Sequence, residues 1–230
     1  MPALFKSFFN LLYPALCEAC GGALVAGERV VCTACRYNLP KTNQWLQQGN
    51  PVEQIFWGRV PLESACSFFY FIKGSKYQKV LHKLKYKNKP HIGVELGRYF
   101  GVELKKSPVY REVEFVIPIP LHTKRMRERG YNQSERVAVG IAESMGIQTL
   151  PAAVFRQVYT QTQTKKTREE RLKNVEAIFA ATPELQQVKN KHILLVDDVL
   201  TTGATIEACA LTILENVECK ISVATLAVAR

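Results

Sequence analysis

The chain has 230 residues, 47% of them hydrophobic, and carries 31 Lys and Arg against 20 Asp and Glu, a formal charge of +11. That apolar content excludes a disordered chain and suits one mid-sized domain with a small appendage. The charge calls for an anionic partner, whether nucleic acid, nucleotide or phosphorylated metabolite, and does not choose among them. No apolar run reaches the roughly 18 residues of a membrane span, so none is expected.

The first stretch, MPALFKSFFNLLYP, is apolar but interrupted by Lys6, Ser7 and Asn10. It leads into cysteines instead of a small-residue cleavage site, so it does not read as a leader. Leu4, Phe5, Phe8, Phe9, Leu11 and Leu12 fit one apolar helix face docking on the body. The chain has seven cysteines, an odd number. With no leader, that points to a reducing, cytoplasmic setting.

Cys17, Cys20, Cys32 and Cys35 form two CxxC pairs separated by eleven residues. Each pair can clamp one side of an ion, and four thiolates close the tetrahedral shell of a structural zinc. Gly21 and Gly22 supply the tight turn after the first pair, and ALVAGERVV reads as a hairpin turning at Gly27. A pair of redox motifs is the alternative, but no strand-then-helix unit of that kind surrounds them. A closed four-cysteine site has no open position for catalysis. Cys66, Cys209 and Cys219 lie in apolar surroundings and read as buried thiols.

The stretch that follows, with Pro40, Pro51 and Pro61, reads as a linker. We divide the chain into a zinc-binding module at 1–50 and an α/β domain at 51–230. ACSFFYFI, 65–72, is a strand. Beyond it, Tyr77, Val80, Leu81 and Leu84 form a helical apolar stripe. No acidic residue occurs from Ser64 to Val94, while Lys76, Lys79, Lys83 and Lys87 are on or beside that helix. This face is either a solvated surface or a nucleic-acid contact, with Tyr77 and Tyr86 available to stack on bases. In HIGVELGRYFGVEL, Gly93, Gly97 and Gly101 lie four apart, a spacing that implies close helix packing.

From about residue 113 strands and helices alternate: strands in EFVIPIP, AAVFRQV, AIFA, HILLVDD and KISVATLAVA, helices in NQSERVAVGIAESMG and GATIEACALTILENV. That order predicts a mostly parallel sheet flanked by helices, with ligands bound beyond the carboxyl ends of its strands.

At one such end stands LLVDDVLTTGAT. The start of the following helix offers free N–H groups and a positive dipole end, which bind phosphate. Gly203 and the hydroxyls of Thr201, Thr202 and Thr205 add to that cradle. Asp197 and Asp198 cannot bind phosphate; they suit ribose hydroxyls or a hydrated Mg²⁺. A ribose 5-phosphate group satisfies both halves. The GxxxxGK[ST] and GxGxxG patterns are absent.

ILLVDDVLTTGAT resembles the motif that binds 5-phosphoribosyl 1-pyrophosphate (PRPP) in type I phosphoribosyltransferases. With the paired CxxC after LLYP, the LKY segment, IPIPLHTKRMRERGYNQ and TQTKKTREERLKNV, nearly the whole chain is similar to the ComF family of competence-associated proteins, which includes GntX-like members. Lys166 and Ala177 depart from its pattern. The resemblance implies a type I phosphoribosyltransferase fold with an N-terminal zinc-binding module. It implies that Asp197 and Asp198 hold the ribose hydroxyls and that Thr201, Thr202, Gly203, Ala204 and Thr205 cradle the 5-phosphate. The turn at Ile119 and Pro120 would approach the pyrophosphate, near Arg129 and Asn132. Thr167, Arg168 and Arg171 would lie on a hood loop. Asp197, Asp198, Arg129 and Arg171 are the expected catalytic groups, with Mg²⁺ entering with PRPP. A role in DNA uptake, with single-stranded DNA and DNA-processing proteins as partners, is implied too. An enzyme with an unknown acceptor, a DNA-binding accessory without turnover and a PRPP sensor all remain open.

Overall fold

The computed structural model describes residues 14–157 and 178–229. The N-terminal apolar stretch at 1–13, and Lys166, Thr167, Arg168, Arg171 and Ala177, therefore lie outside the described residues.

The cysteine segment is held by turns and by a single bridge between Leu16 and Ala23, so the hairpin expected between the pairs has no paired strands. Gly21 (φ +78°) and Gly27 (φ +88°) take the left-handed turns that only glycine adopts without strain. Helix α1 (Thr33–Tyr37) follows, then a 3-10 turn (Gln44–Leu46) and helix α2 (Pro51–Gln54). Residues 38–63 do not form a free linker. Trp45, Val52, Phe56 and Val60 are all buried, and residues 40–42 hydrogen-bond the edge of the first strand.

Strand β1 (Ser64–Phe71) leads to helices α3 (Lys76–Tyr86), α4 (Pro90–Leu104) and α5 (Pro108–Arg111). Next come β2 (Phe115–Pro118), α6 (Thr123–Arg129), α7 (Gln133–Met145) and β3 (Gln148–Thr149). Strands β4 (Val154–Arg156) and β5 (Phe179–Ala181) precede a second 3-10 turn (Pro183–Val188). The chain finishes with β6 (His192–Leu200), α8 (Ala204–Asn216) and β7 (Lys220–Ala229).

Five strands form one sheet in the order β1-β7-β6-β2-β3, with every pair parallel. Its central strand β6 is buried on both faces, which is why it reads as an unbroken apolar run. Leu194 and Val196 face a layer built from α3, α4 and α7. Ile193 and Leu195 face α8, α2 and the β4–β5 segment. The expected parallel sheet flanked by helices is present, with two differences. β1 joins it at the β7 edge, whereas β4 and β5 leave it to pair antiparallel as a separate ribbon.

Helices α4 and α7 cross with backbones almost touching. A Cβ on Gly97 would stand 2.3 Å from the Val137 carbonyl oxygen, and one on Gly140 would stand 1.9 Å from that of Val94. The glycine spacing in the sequence is the imprint of this crossing. Among the described residues no helix is long and apolar enough to cross a membrane.

Candidate functional site

β6 runs on to Leu200, so both aspartates sit within its last turn of pleat, beside the carboxyl end of β2. Ser134, in the first turn of α7, donates to Asp197 Oδ1 at 2.7 Å, and the Asp198 N–H donates to the same oxygen at 2.8 Å. Burial, and then the neighbouring Asp198, push the Asp197 carboxyl up to about 7; the Ser134 and Asp198 hydrogen bonds and Lys85 oppose that rise. Asp198 is buried, with Lys85 Nζ of α3 at 3.0 Å from its Oδ2.

The strand feeds directly into the loop 201–205. Thr201 and Thr202 are exposed, while Gly203 is buried at φ +78° as the cap of α8. Thr202 Oγ1 accepts from the Ala204 N–H at 3.5 Å. The loop lines a cavity of about 30 Å³ that also touches Asp197. Gly203 is required on two counts: the left-handed φ, and a Cβ that would stand 2.9 Å from Phe56 Cε1. Its close approach is to α2's neighbour Phe56, which supports the loop from behind.

The turn after β2 lies alongside. The Ile119 N–H donates to the Val196 carbonyl at 2.8 Å, and Asn132 Nδ2 donates to the Ile119 carbonyl at 2.9 Å. Asn132 also caps α7 by accepting from Ser134 N at 3.1 Å. This one residue therefore ties the turn to the helix that holds Asp197. Arg129 ends α6, donates to Gln133 Oε1 at 2.6 Å and lies over the Tyr86 ring at 5.3 Å. α6 is otherwise exposed and carries Lys124, Arg125 and Arg127.

Three residues at this site escaped the sequence reading. Lys85 was one lysine in a basic run. Arg59 lay in the supposed linker; it donates to the Thr202 carbonyl at 3.0 Å and pairs with Glu207. Arg156 of β4 is half-buried over the Phe179 ring, within electrostatic reach of Asp197 and Arg125. Only Lys85 carried a signal, the LKY segment itself.

The four cysteine Sγ atoms lie within 4.8 Å of one another. Zn–S bonds of about 2.3 Å give a tetrahedron edge of about 3.8 Å, and Cys20 and Cys32 stand at 3.8 Å. Backbone N–H groups donate to Cys17 Sγ (from Cys32, 3.3 Å) and Cys32 Sγ (from Cys35, 3.4 Å). Burial resists ionisation of Cys17, but N–H donation from Cys20, Cys32 and Ala19 outweighs it and takes the thiol down to about 6. This donor set fits a metal such as zinc.

The counter-charges of the lysine helix come from elsewhere in the chain. Lys76 reaches Cys35 Sγ at 3.3 Å, and Lys83 pairs with Glu18 at 2.9 Å. Lys79 and Lys87 remain exposed, and with Lys83, Lys89, Gln78 and His82 they line a hollow of about 630 Å³.

Residues 124–230 match the family of the phosphoribosyl transferase domain. Competence protein F of Haemophilus influenzae is 29% identical over 130 residues, 55% of this chain and 57% of that protein. The DNA utilization protein YhgH of Escherichia coli is 26% identical over 222 residues, 90% of this chain and 93% of its own length. Competence protein ComFC of Streptococcus pneumoniae is 37% identical over 108 residues, 47% of this chain and 43% of its own length. Among solved structures, glutamine PRPP amidotransferase of B. subtilis, in complex with ADP and GMP, aligns with 63% of this chain and 30% of its own, at 19% identity and a TM-score of 0.45. The fold is that of a phosphoribosyltransferase-like protein. Within that class, the relatives named competence protein F, ComFC and YhgH, with the phosphoribosyl transferase domain match, support a ComF-family protein.

Proposed function

We propose that the protein binds PRPP with Mg²⁺ and can displace its pyrophosphate, in the service of DNA uptake or recombination. One observation carries this reading: two carboxylates and a hydroxyl-rich helix start occur at one strand end, beside the turn at Ile119. The carboxylates accept from the ribose 2′- and 3′-hydroxyls, and the N–H groups and hydroxyls of 201–205 take the 5-phosphate. Pyrophosphate then lies toward the turn at Ile119–Pro120 and the basic helix α6.

In the reaction, the bond from the anomeric carbon to pyrophosphate breaks, and the leaving group keeps the electron pair. A nucleophile of the acceptor bonds to that carbon and loses a proton. Mg²⁺, held mainly by PRPP oxygens, would neutralise charge on the leaving group. Lys124, Arg125 and Arg129 are suited to stabilise the same charge. By family resemblance, Thr167, Arg168 and Arg171 would close over the ligand and exclude water. The cysteine site would hold a structural zinc.

The DNA context comes from the relatives' names, and the exposed Lys79 and Lys87 beside Tyr86 give it a surface. The same surface favours a second reading, a DNA-binding accessory or PRPP sensor without turnover. Pyrophosphate release from PRPP, measured with nucleobases, amines and single-stranded DNA as acceptors, separates the two. Turnover supports the enzyme, and saturable PRPP binding without release under any acceptor supports the accessory.

A further inference from the structure

The LKY lysine is the one member of the basic run that enters the ribose-binding end of the sheet. Lys85 Nζ stands 3.0 Å from Asp198 Oδ2, with the two side chains 23% and 12% exposed. The remaining acid, Asp197, is held by Ser134 from a different helix. The two carboxylates thus have separate keepers, a hydroxyl from α7 and an ammonium from α3.

We propose that Lys85 is a positioning residue of the phosphoribosyl site, holding Asp198 through their ion pair from a helix that the four-cysteine module sets in place. The proposal rests on the PRPP reading above and adds to it a residue and a structural route.

Two consecutive aspartates at a buried strand end concentrate negative charge where solvent compensates poorly. A ribose diol needs both as acceptors, and a charged acceptor makes a hydrogen bond about twice as strong as a neutral one. Lys85 supplies the counter-charge from within the chain and fixes where the Asp198 oxygens point. A lysine stem is long and loses much rotamer freedom when pinned, so its aim depends on the helix beneath it.

That helix is tied to the cysteine module by polar contacts. Tyr77 OH donates to the Cys35 carbonyl at 2.8 Å, and Lys76 Nζ reaches Cys35 Sγ at 3.3 Å. Lys83 Nζ donates to both the backbone and the carboxylate of Glu18, each at 2.9 Å. The residue before Lys85 is fixed as well, because Tyr131 OH donates to the Leu84 carbonyl. Through these contacts the module sets the start and middle of the rod whose end carries Lys85.

The test is calorimetry of PRPP with Mg²⁺ on the full chain, for wild type, Lys85→Met, Lys85→Arg, Tyr77→Phe and Lys85→Met/Tyr77→Phe. Thermal melts and zinc content are recorded for each. Lys85→Met is expected to weaken PRPP binding about tenfold or more, and Lys85→Arg to recover most of it. Tyr77→Phe is expected to weaken binding by a few-fold, and the double variant to be no weaker than Lys85→Met alone, the signature of coupled residues. Three results overturn the proposal: Lys85→Met binding PRPP like wild type, Lys85→Arg binding as poorly as Lys85→Met, or the Tyr77 loss adding in full to the Lys85 loss. If Lys85→Met does not fold, the other two variants decide against wild type: Lys85→Arg weaker than wild type by about tenfold or more, or Tyr77→Phe binding like wild type, overturns the proposal. A wild type that binds no PRPP removes the phosphoribosyl reading itself, a result distinct from all three.

Discussion

Arg59 donates through Nη1 to the backbone carbonyl of Thr202 at 3.0 Å while its Nη2 pairs with Glu207, so one guanidinium clamps both the 201–205 loop and the first turn of the helix it opens. On the proposed reading, Glu207 would otherwise place an uncompensated negative charge beside the 5-phosphate. Arg59→Ala should therefore weaken PRPP binding by about fivefold to tenfold. Adding Glu207→Gln to that variant should recover part of the loss. Binding of PRPP and of ribose 5-phosphate by calorimetry checks both, since each ligand carries the 5-phosphate.

The Asp197 carboxyl provides a pH test. Its ordinary value is 3.8, and burial together with Asp198 raises it to about 7 in the folded chain. Between those values the native state keeps a proton that the unfolded chain has released, so this group's contribution makes stability fall as pH rises through the window. Asp197→Asn removes the dependence. Its melting temperature should gain on wild type from pH 4 to pH 7 and level off above. If Asp197 takes a ribose hydroxyl as proposed, PRPP needs it ionised, and its affinity for wild type should rise with pH through about 7.

The α4–α7 crossing tolerates no side chain at Gly140, where a Cβ would meet the Val94 carbonyl oxygen at 1.9 Å. Gly140→Ala should cost about 2 kcal/mol or more, because backbone has to move. Chemical denaturation should show the lower midpoint. Gly146→Ala, in open space but at φ +77°, should cost less, about 1 kcal/mol.

Metal release tests the cysteine module. Chelation, or Cys17→Ser with Cys35→Ser, should release zinc and lower the melting temperature, because α3 packs on this module through Tyr77 and Lys76. A chain that purifies without zinc and melts unchanged after chelation would contradict the assignment.

The sheet's inner strands were legible because burial on both faces writes itself as unbroken apolar runs, as in Ile193–Val196. The 201–205 loop could be read as a candidate site because its chemistry is local: acceptors, hydroxyls and a glycine in one short stretch. Lys85 and Arg59 were not, because they reach Asp198 and Thr202 across long stretches of chain and no local pattern records that. The partner of Lys83 was hidden for the same reason: Glu18 lies among the cysteines. β4 and β5 carry apolar runs like those of the sheet strands, and their antiparallel pairing follows only from three-dimensional contacts.

The most direct test is calorimetric titration of PRPP with Mg²⁺ into wild type and into the Asp197→Asn/Asp198→Asn variant. Saturable binding by wild type, lost in the variant while its melt stays cooperative and its single-stranded DNA binding persists, is the predicted result. No binding by wild type at any PRPP concentration, or equal binding by both proteins, would contradict the assignment of this strand end to the ribose.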